Sequence, residues 1–344
     1  MDGETHELQH PDFIWTWKVS SQGNRESIWL PYLAEVAKKP RSSLWTLRYN
    51  GGEIETDLRK IDFIMLYGAS GNIPIEFLDA LNTHRICLTI HRRNISKPYI
   101  FIPASGAGSD DLLSAQIIAR SNERKTSYVA RTLIRERFLA TSCLSPISST
   151  NFKRLASARN VVEVRNIEAV QATQYWAAFF QAIGLSSGMV RRNFPHPVNS
   201  ALDAGSFFLH GILLRWILFH KLSPFHGFLH RPTNYPSLVY DLVEPYRHWI
   251  EVSVTKACAD VGHENTQTLT AVTIEHLKRC LEEPVYVPST RQTARRKSLL
   301  HGSVLALRAW LLNKQPRFVL PVEGEKRGGR PPKVGFSLPG YRVT

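Results

Sequence analysis

The spacing of apolar positions changes once along this chain, near residue 105, and that change divides it. Before it the spacing is that of strands. Residues 13–19 and 27–30 are apolar runs on either side of Ser21-Gln22-Gly23-Asn24, the arrangement of a hairpin. In residues 43–49, Trp45, Leu47 and Tyr49 alternate with other positions, and Asn50-Gly51-Gly52 then turns the chain. Residues 61–67 are nearly all apolar, as in a strand covered on both faces. Pro74 suits the first turn of a short helix carrying Phe77, Leu78 and Leu81, and residues 86–90 and 99–102 read as further strands.

Pro103-Ala104-Ser105-Gly106-Ala107-Gly108-Ser109 has small residues and no period, as a flexible linker has. Beyond it the period is helical. Asp110 is placed to cap a helix carrying Leu113, Ile117 and Ile118. Val129, Leu133 and Phe138 mark the next helix, whose polar face holds Arg131, Arg135 and Arg137. Nearly every segment from there to Asn313 reads as helix. From Gln315 the periodicity is lost, and residues 325–333 are basic and rich in glycine and proline, a composition that cannot build a core. The pattern predicts an α+β chain: a strand-rich domain over residues 1–106, a helical domain over 107–314 and a basic, flexible tail over 315–344.

Composition adds a partner. The 344 residues are 43% apolar, enough for two ordinary cores. Against 29 Asp and Glu stand 43 Lys and Arg, a net charge of +14 that attracts polyanions, whether nucleic acid or an anionic membrane. The longest apolar run, residues 207–219, is interrupted by His210, Gly211 and Arg215, and residues 1–7 do not read as a secretory signal. Nucleic acid is therefore the expected polyanion, with no membrane. Cys87, Cys143, Cys258 and Cys280 lie far apart without a CxxC pair, which excludes a zinc ribbon and suggests reduced thiols in a cytoplasmic protein.

The densest chemistry lies between Ser223 and Arg247. Pro236 suits a helix start, and on that helix Asp241 and Glu244 share a face beside Leu238, Val239 and Leu242. Two carboxylates in such surroundings repel each other unless a cation or base sits between them. Pro245 cannot donate to the carbonyl of Asp241, so the helix opens or kinks beside the pair. The alternative is an exposed acidic turn paired with Arg247 and His248. His230 ends the loop that feeds this helix and is a better ligand than His226, since Pro224, Gly227 and Pro232 argue against a regular helix pairing the two. A satisfied structural histidine is the alternative there. Asn166 reads as an N-cap that puts Glu168 in a first turn, where it favours the helix dipole. Glu168 also shares a stripe with Ala172, Tyr175 and Phe179, and a carboxylate on such a stripe needs a partner. A metal shared with His230 would serve. This mixed set suits Mn2+ or Mg2+, either of which would polarise a scissile phosphate and ready an attacking hydroxyl. No Gly-rich phosphate loop or serine elbow is present, which counts against a nucleotide hydrolase or an esterase.

In this order the segments resemble the CRISPR-associated endonuclease/integrase of the adaptation module, the first of the numbered Cas proteins. The likeness is carried by residues 167–176, by Gly227-Phe228-Leu229-His230 and by residues 236–247, with the strand, short helix and strand of residues 63–90 in support. It covers about residues 43–312 and leaves the first forty unmatched. The resemblance implies a β-sandwich-like N-terminal domain and an all-helical catalytic domain. It further implies a homodimer that assembles on a small dimeric adaptation subunit, with double-stranded DNA as substrate. The 3′-hydroxyl of a short duplex would attack a phosphodiester at a CRISPR repeat. Metal-binding roles would fall to Glu168, His230, Asp241 and Glu244. The chain departs from the family at residues 199–206, where Ala204 and Ser206 stand in place of two usual tyrosines and Asp203 in place of an asparagine. A transposon-borne integrase of the same family and a non-catalytic DNA-binding subunit are the alternative readings.

Arg191 and Arg192 with His196, and Arg291, Arg295, Arg296 and Lys297, are candidate phosphate contacts. In the tail, Arg327 and Arg330 flank glycines and precede Pro331-Pro332-Lys333, which resembles an AT-hook that lies in a narrow minor groove.

Overall fold

The computed structural model describes residues 26–91, 99–103, 111–185, 189, 191, 195–326 and 334–339. The chain divides into two compact units, Met1–Ala104 and Ser105–Thr344.

The first unit is built from two sheets and a helix. One sheet has the order β1 (Glu26–Pro31), β5 (Ile61–Tyr67), β6 (Cys87–His91), β7 (Tyr99–Phe101). In it β5 runs parallel to both neighbours, and β7 closes the edge antiparallel. The other is the antiparallel set β2 (Leu33–Lys38), β3 (Leu44–Tyr49) and β4 (Gly52–Asp57). Residues from both sheets, with Phe77 and Leu81 of α1 (Ile75–His84), share one core. Phe63, Ile64, Met65 and Leu66 of β5 are fully buried, which is why that strand reads as an unbroken apolar run. β1, the second strand of the hairpin expected around residues 21–24, pairs in parallel with β5, with Ile28 opposite Ile64. The first strand and turn of that hairpin, residues 13–24, lie outside the described residues, as do residues 104–110, which include most of the expected linker and Asp110. The helix expected to have Asp110 as its cap begins at Leu112, with Asp111 at its N-cap position.

The second unit is mostly helical: α2 (Leu112–Ser121), α3 (Glu123–Thr141), α4 (Ser149–Ser157), α5 (Val161–Ala182), α6 (Pro197–Phe219), α7 (Ser237–Val243), α8 (His248–Val261), α9 (Thr266–Glu282) and α10 (Arg296–Leu311). A hairpin of β8 (Pro284–Val287) and β9 (Gln292–Arg295) interrupts what the sequence presents as helix throughout. At the centre lies α6, packed by α7, α8, α9 and α10. Pro197 occupies its first turn, and His196 caps it by accepting from the Val198 N–H. By length and composition α6 could cross a membrane, yet it is mostly buried, with Leu202, Leu209, Leu213 and Ile217 all in the core. An apolar helix surrounded by others is a core helix.

The flexible tail expected from Gln315 is corrected for residues 315–326. Phe318 and Leu320 are buried, as is Leu338 further on. Tyr246 Oη donates to the Pro321 carbonyl at 2.9 Å. The Glu323 carboxylate accepts from Trp249 Nε1 at 3.2 Å and Arg296 Nε at 2.9 Å. Burial would raise the Glu323 carboxyl, but hydrogen bonds from His248 and Trp249 and the Arg296 charge hold it down to about 2. Alternating apolar side chains and one paired carboxylate fix the segment without regular secondary structure.

Candidate metal centre and its support

The site is assembled on the loop between α6 and α7. Asp241, fully buried on α7, organises it. Its Oδ2 accepts from the backbone N–H groups of Phe228 (2.5 Å) and Leu229 (2.9 Å). Its Oδ1 accepts from the His230 N–H at 2.9 Å and lies 2.8 Å from His230 Nδ1. One carboxylate therefore folds the loop and orients the imidazole at its end. The Nδ1 contact commits that nitrogen and leaves Nε2 as the one open to a ligand. Gly227 is required here: a Cβ on it would stand 2.7 Å from the His230 carbonyl oxygen and 2.9 Å from Asp241 Oδ2. Ser237, also buried, accepts from the Gly227 N–H and donates to the Phe225 carbonyl, both at 3.0 Å.

The loop is held from behind by α2. Gln116 Nε2 donates to the carbonyls of Ser223 and His226, each at 2.9 Å, while its Oε1 accepts from the Ser223 N–H at 2.8 Å. Arg120 Nε donates to the Gly227 carbonyl at 2.9 Å. His226 turns to Ser223 Oγ, 2.7 Å from its Nδ1, and takes no part in the His230 cluster.

Glu244 follows where α7 gives way to a 3₁₀ turn, Glu244–Tyr246, at Pro245. The turn exists because proline cannot continue the α-helical ladder. Glu244 is buried, and its Oε2 accepts from Arg137 Nη1 on α3 while its Oε1 accepts from Arg247 Nη1 at 3.1 Å. The same Arg137 nitrogen also donates to Glu168 Oε1 on α5, at 3.2 Å. Burial would raise the Glu244 carboxyl, but Arg137 and Arg247 overcome it and hold it at about 2. Burial pushes the His230 imidazole down, and its hydrogen bond and charge interaction with Asp241 outweigh this, so its pKa is raised.

A further buried pair backs the site. Tyr175 of α5 donates to Glu251 of α8 at 2.5 Å, and both are buried. Trp176 stacks beneath two cations, with the guanidinium carbons of Arg191 and Arg247 5.5 and 6.0 Å from its ring centroid. His210 of α6 lies against Tyr240, centroids 4.3 Å apart, with His230 on that ring's other contacts at 6.1 Å. Burial and the nearby Arg247 keep His210 neutral, down at about 3.

The structure thus joins Asp241 to His230 directly, and Glu168 to Glu244 through Arg137. Among the described residues, no three His, Cys, Asp or Glu side chains converge closely enough to hold a metal as they stand. The donors fit one in kind: an oriented imidazole and two carboxylates that already share a cation. Glu168 lies deeper in its helix than the sequence suggests. Asn160, and not Asn166, caps α5, accepting from the Glu163 N–H at 2.9 Å while Glu163 reaches back to the Arg159 N–H, a variant of the capping box.

Several expected phosphate contacts have partners within the chain. Arg191 pairs with Asp203 at 2.5 Å, Arg295 and Lys297 with Glu282 at 2.6 and 2.5 Å, and Arg296 with Glu283 and Glu323. Two carboxylates hold Arg296, and through Glu323 it ties the segment after α10 to the helical unit. Arg291 is exposed at the β8–β9 turn. Arg192, Arg327 and Arg330 lie outside the described residues.

Arg137, Gln116, Arg120 and Ser237 carry much of this geometry and escape a sequence reading. The signal for Arg137 was present. It sits four residues after Leu133 and three after Ile134, both buried, so it lies on the apolar stripe of α3 and not on its polar face.

The sequence profile of the family described as CRISPR associated protein Cas1 matches residues 39–263. A "CRISPR-associated endonuclease Cas1 2" from Pyrobaculum aerophilum is 34% identical over 112 residues, 32% of this chain and 37% of that protein, so the match spans about a third of the relative's length. Among solved structures, a casposase bound to integration product superposes with a TM-score of 0.74 at 19% identity, covering 89% of this chain and 96% of that one. The Cas6-RT-Cas1–Cas2 complex superposes with a TM-score of 0.71 at 13% identity, covering 89% of this chain and 37% of that one. With the family profile matched across more than half of its residues, this chain belongs to the CRISPR associated protein Cas1 family.

Proposed function

We propose that the chain is a DNA integrase/endonuclease of CRISPR adaptation that joins the 3′-hydroxyl ends of a short duplex to the CRISPR repeat by transesterification. The observation that carries this reading is the pairing of His230 with the fully buried Asp241, together with the Glu168 and Glu244 carboxylates that Arg137 bridges, in a chain of net charge +14.

Glu168, His230 and Glu244 would hold Mn2+ or Mg2+, which when bound polarises the phosphodiester and lowers the pKa of the attacking hydroxyl. Asp241 serves by fixing the imidazole, since its oxygens are engaged by three N–H groups and the ring. Arg247 and Arg137 keep the Glu244 carboxylate ionised. The basic surface draws the duplex in by counterion release. A homodimer assembled on a small dimeric adaptation subunit would present two such sites to the two ends of one duplex, and the likeness to the Cas6-RT-Cas1–Cas2 complex supports a Cas2 partner.

The test is joining of a 3′-hydroxyl oligonucleotide duplex to supercoiled plasmid in Mn2+. Wild type should give joined product and His230→Ala none above background; equal yields from the two would sink the proposal. Likeness to a casposase supports a second reading, insertion of mobile-element ends. A plasmid bearing a CRISPR repeat separates the two: preferential joining at the repeat borders supports CRISPR adaptation.

A further inference from the structure

We infer that Arg137 is a resident cation that competes with the divalent metal for Glu168 and Glu244. The inference rests on the reading of Glu168, His230 and Glu244 as the metal-holding set.

Three elements meet at one guanidinium nitrogen. Arg137 Nη1, from α3, donates to Glu168 of α5 and to Glu244 of the 3₁₀ turn. The Arg137 side chain is 8% exposed and that of Glu244 5%, so water screens this contact little. Glu168 is 27% exposed, which leaves it the side from which an ion can approach. Arginine stays protonated under all ordinary conditions, so the cation cannot leave by losing a proton. Arg247 pairs with the other Glu244 oxygen at 3.1 Å. Two carboxylates and two guanidinium groups therefore form a neutral cluster before any metal arrives.

A doubly charged ion entering this cluster meets a compensated site. It must either share the carboxylates with Arg137, at the cost of close like-charge repulsion, or displace the guanidinium from at least one of them. Arg137 would thus act as a positioning residue with two effects. It keeps the buried carboxylates paired in the metal-free protein, and it sets a weaker metal affinity than the same donors would have without it. Metal binding then becomes coupled to a movement of the Arg137 side chain.

The experiment measures Mn2+ binding by the electron paramagnetic resonance signal of the free ion, with no DNA present. Wild type, Arg137→Gln, His230→Ala and the double variant are compared. Arg137→Gln should bind Mn2+ at least about tenfold more tightly than wild type, since one nearby positive charge is gone. Its melting temperature should be lower than wild type in EDTA and rise more when Mn2+ is added. If Arg137→Gln binds no more tightly than wild type while His230→Ala weakens both, the inference is overturned and the metal set stands. If His230→Ala leaves Mn2+ binding unchanged, the metal set itself fails and takes the inference with it. Wild type supplies a readout that survives misfolding of the variant. The Arg137 Nε–H resonance, assigned by its loss in Arg137→Lys, should shift on saturation with Mg2+. A resonance that stays in place while the His230 ring responds also overturns the inference.

Discussion

At the scale of single residues, the site depends on buried charges that are each paired. Glu244 shows what this means for pH. Its folded value is about 2, against 4.5 in the ordinary case, because Arg137 and Arg247 overcome burial. A depressed carboxyl contributes stability that is complete above its unfolded value and disappears as pH falls through the folded one. The contribution should therefore decline between roughly pH 5 and pH 2 and amount to about 3 kcal/mol in full. Urea unfolding of wild type and Glu244→Gln at several pH values checks this. The variant should be less stable at pH 7, and the gap should narrow toward pH 3; a gap that stays constant with pH would refute the linkage. Residue type alone revealed His230, Glu168 and the acidic pair as candidates. It did not distinguish Asp241 from Glu244, because the difference lies in which backbone N–H groups the loop aims at Asp241, a property of the folded loop.

Elements supply that aim. The loop before α7 has no regular structure, so its carbonyls need partners from elsewhere. Gln116 of α2 provides them, engaging two carbonyls and one N–H of the loop. Replacing Gln116 by Leu should unpair these groups and cost about 2 kcal/mol. The damage should concentrate in the loop: amide exchange at Phe228–His230 would accelerate while α9 keeps its protection. Uniform acceleration across the helical unit would show that Gln116 is only a general core residue. Much at this scale was legible in the sequence. The continuous run in β5 and the proline that ends α7 announce themselves through burial and a missing N–H. β2 and β4 do not, for Leu33, Val36 and Ile54 are too few to mark an alternating strand. The β8–β9 hairpin is hidden among helices because four-residue strands give no measurable period.

At the scale of the molecule, the helical unit includes chain that the sequence presents as tail. Phe318, Leu320 and Leu338 fill its surface, and Glu323 ties Trp249 of α8 to Arg296 of α10. Ending the chain after Asn313 should expose their seats and leave Arg296 one carboxylate partner, Glu283, instead of two. The loss should be on the order of 5 kcal/mol from apolar burial. Ending it after Lys326 forfeits only the share of Leu338. Melting temperatures of the two truncations test this, and equal values would mean that residues 315–326 contribute nothing. The tail escaped the sequence reading because its contacts are long-range and its only local cue is the alternation of Phe318 and Leu320.

The buried position of α6 has a consequence for biogenesis. The chain is synthesised from its N-terminus, so α6 emerges before α8, α9 and α10, the helices that cover it. During that interval a helix apolar enough to enter a bilayer has none of these later neighbours. Chaperones would be needed most in this window, and a ribosome stalled before Leu311 would release a product prone to aggregate.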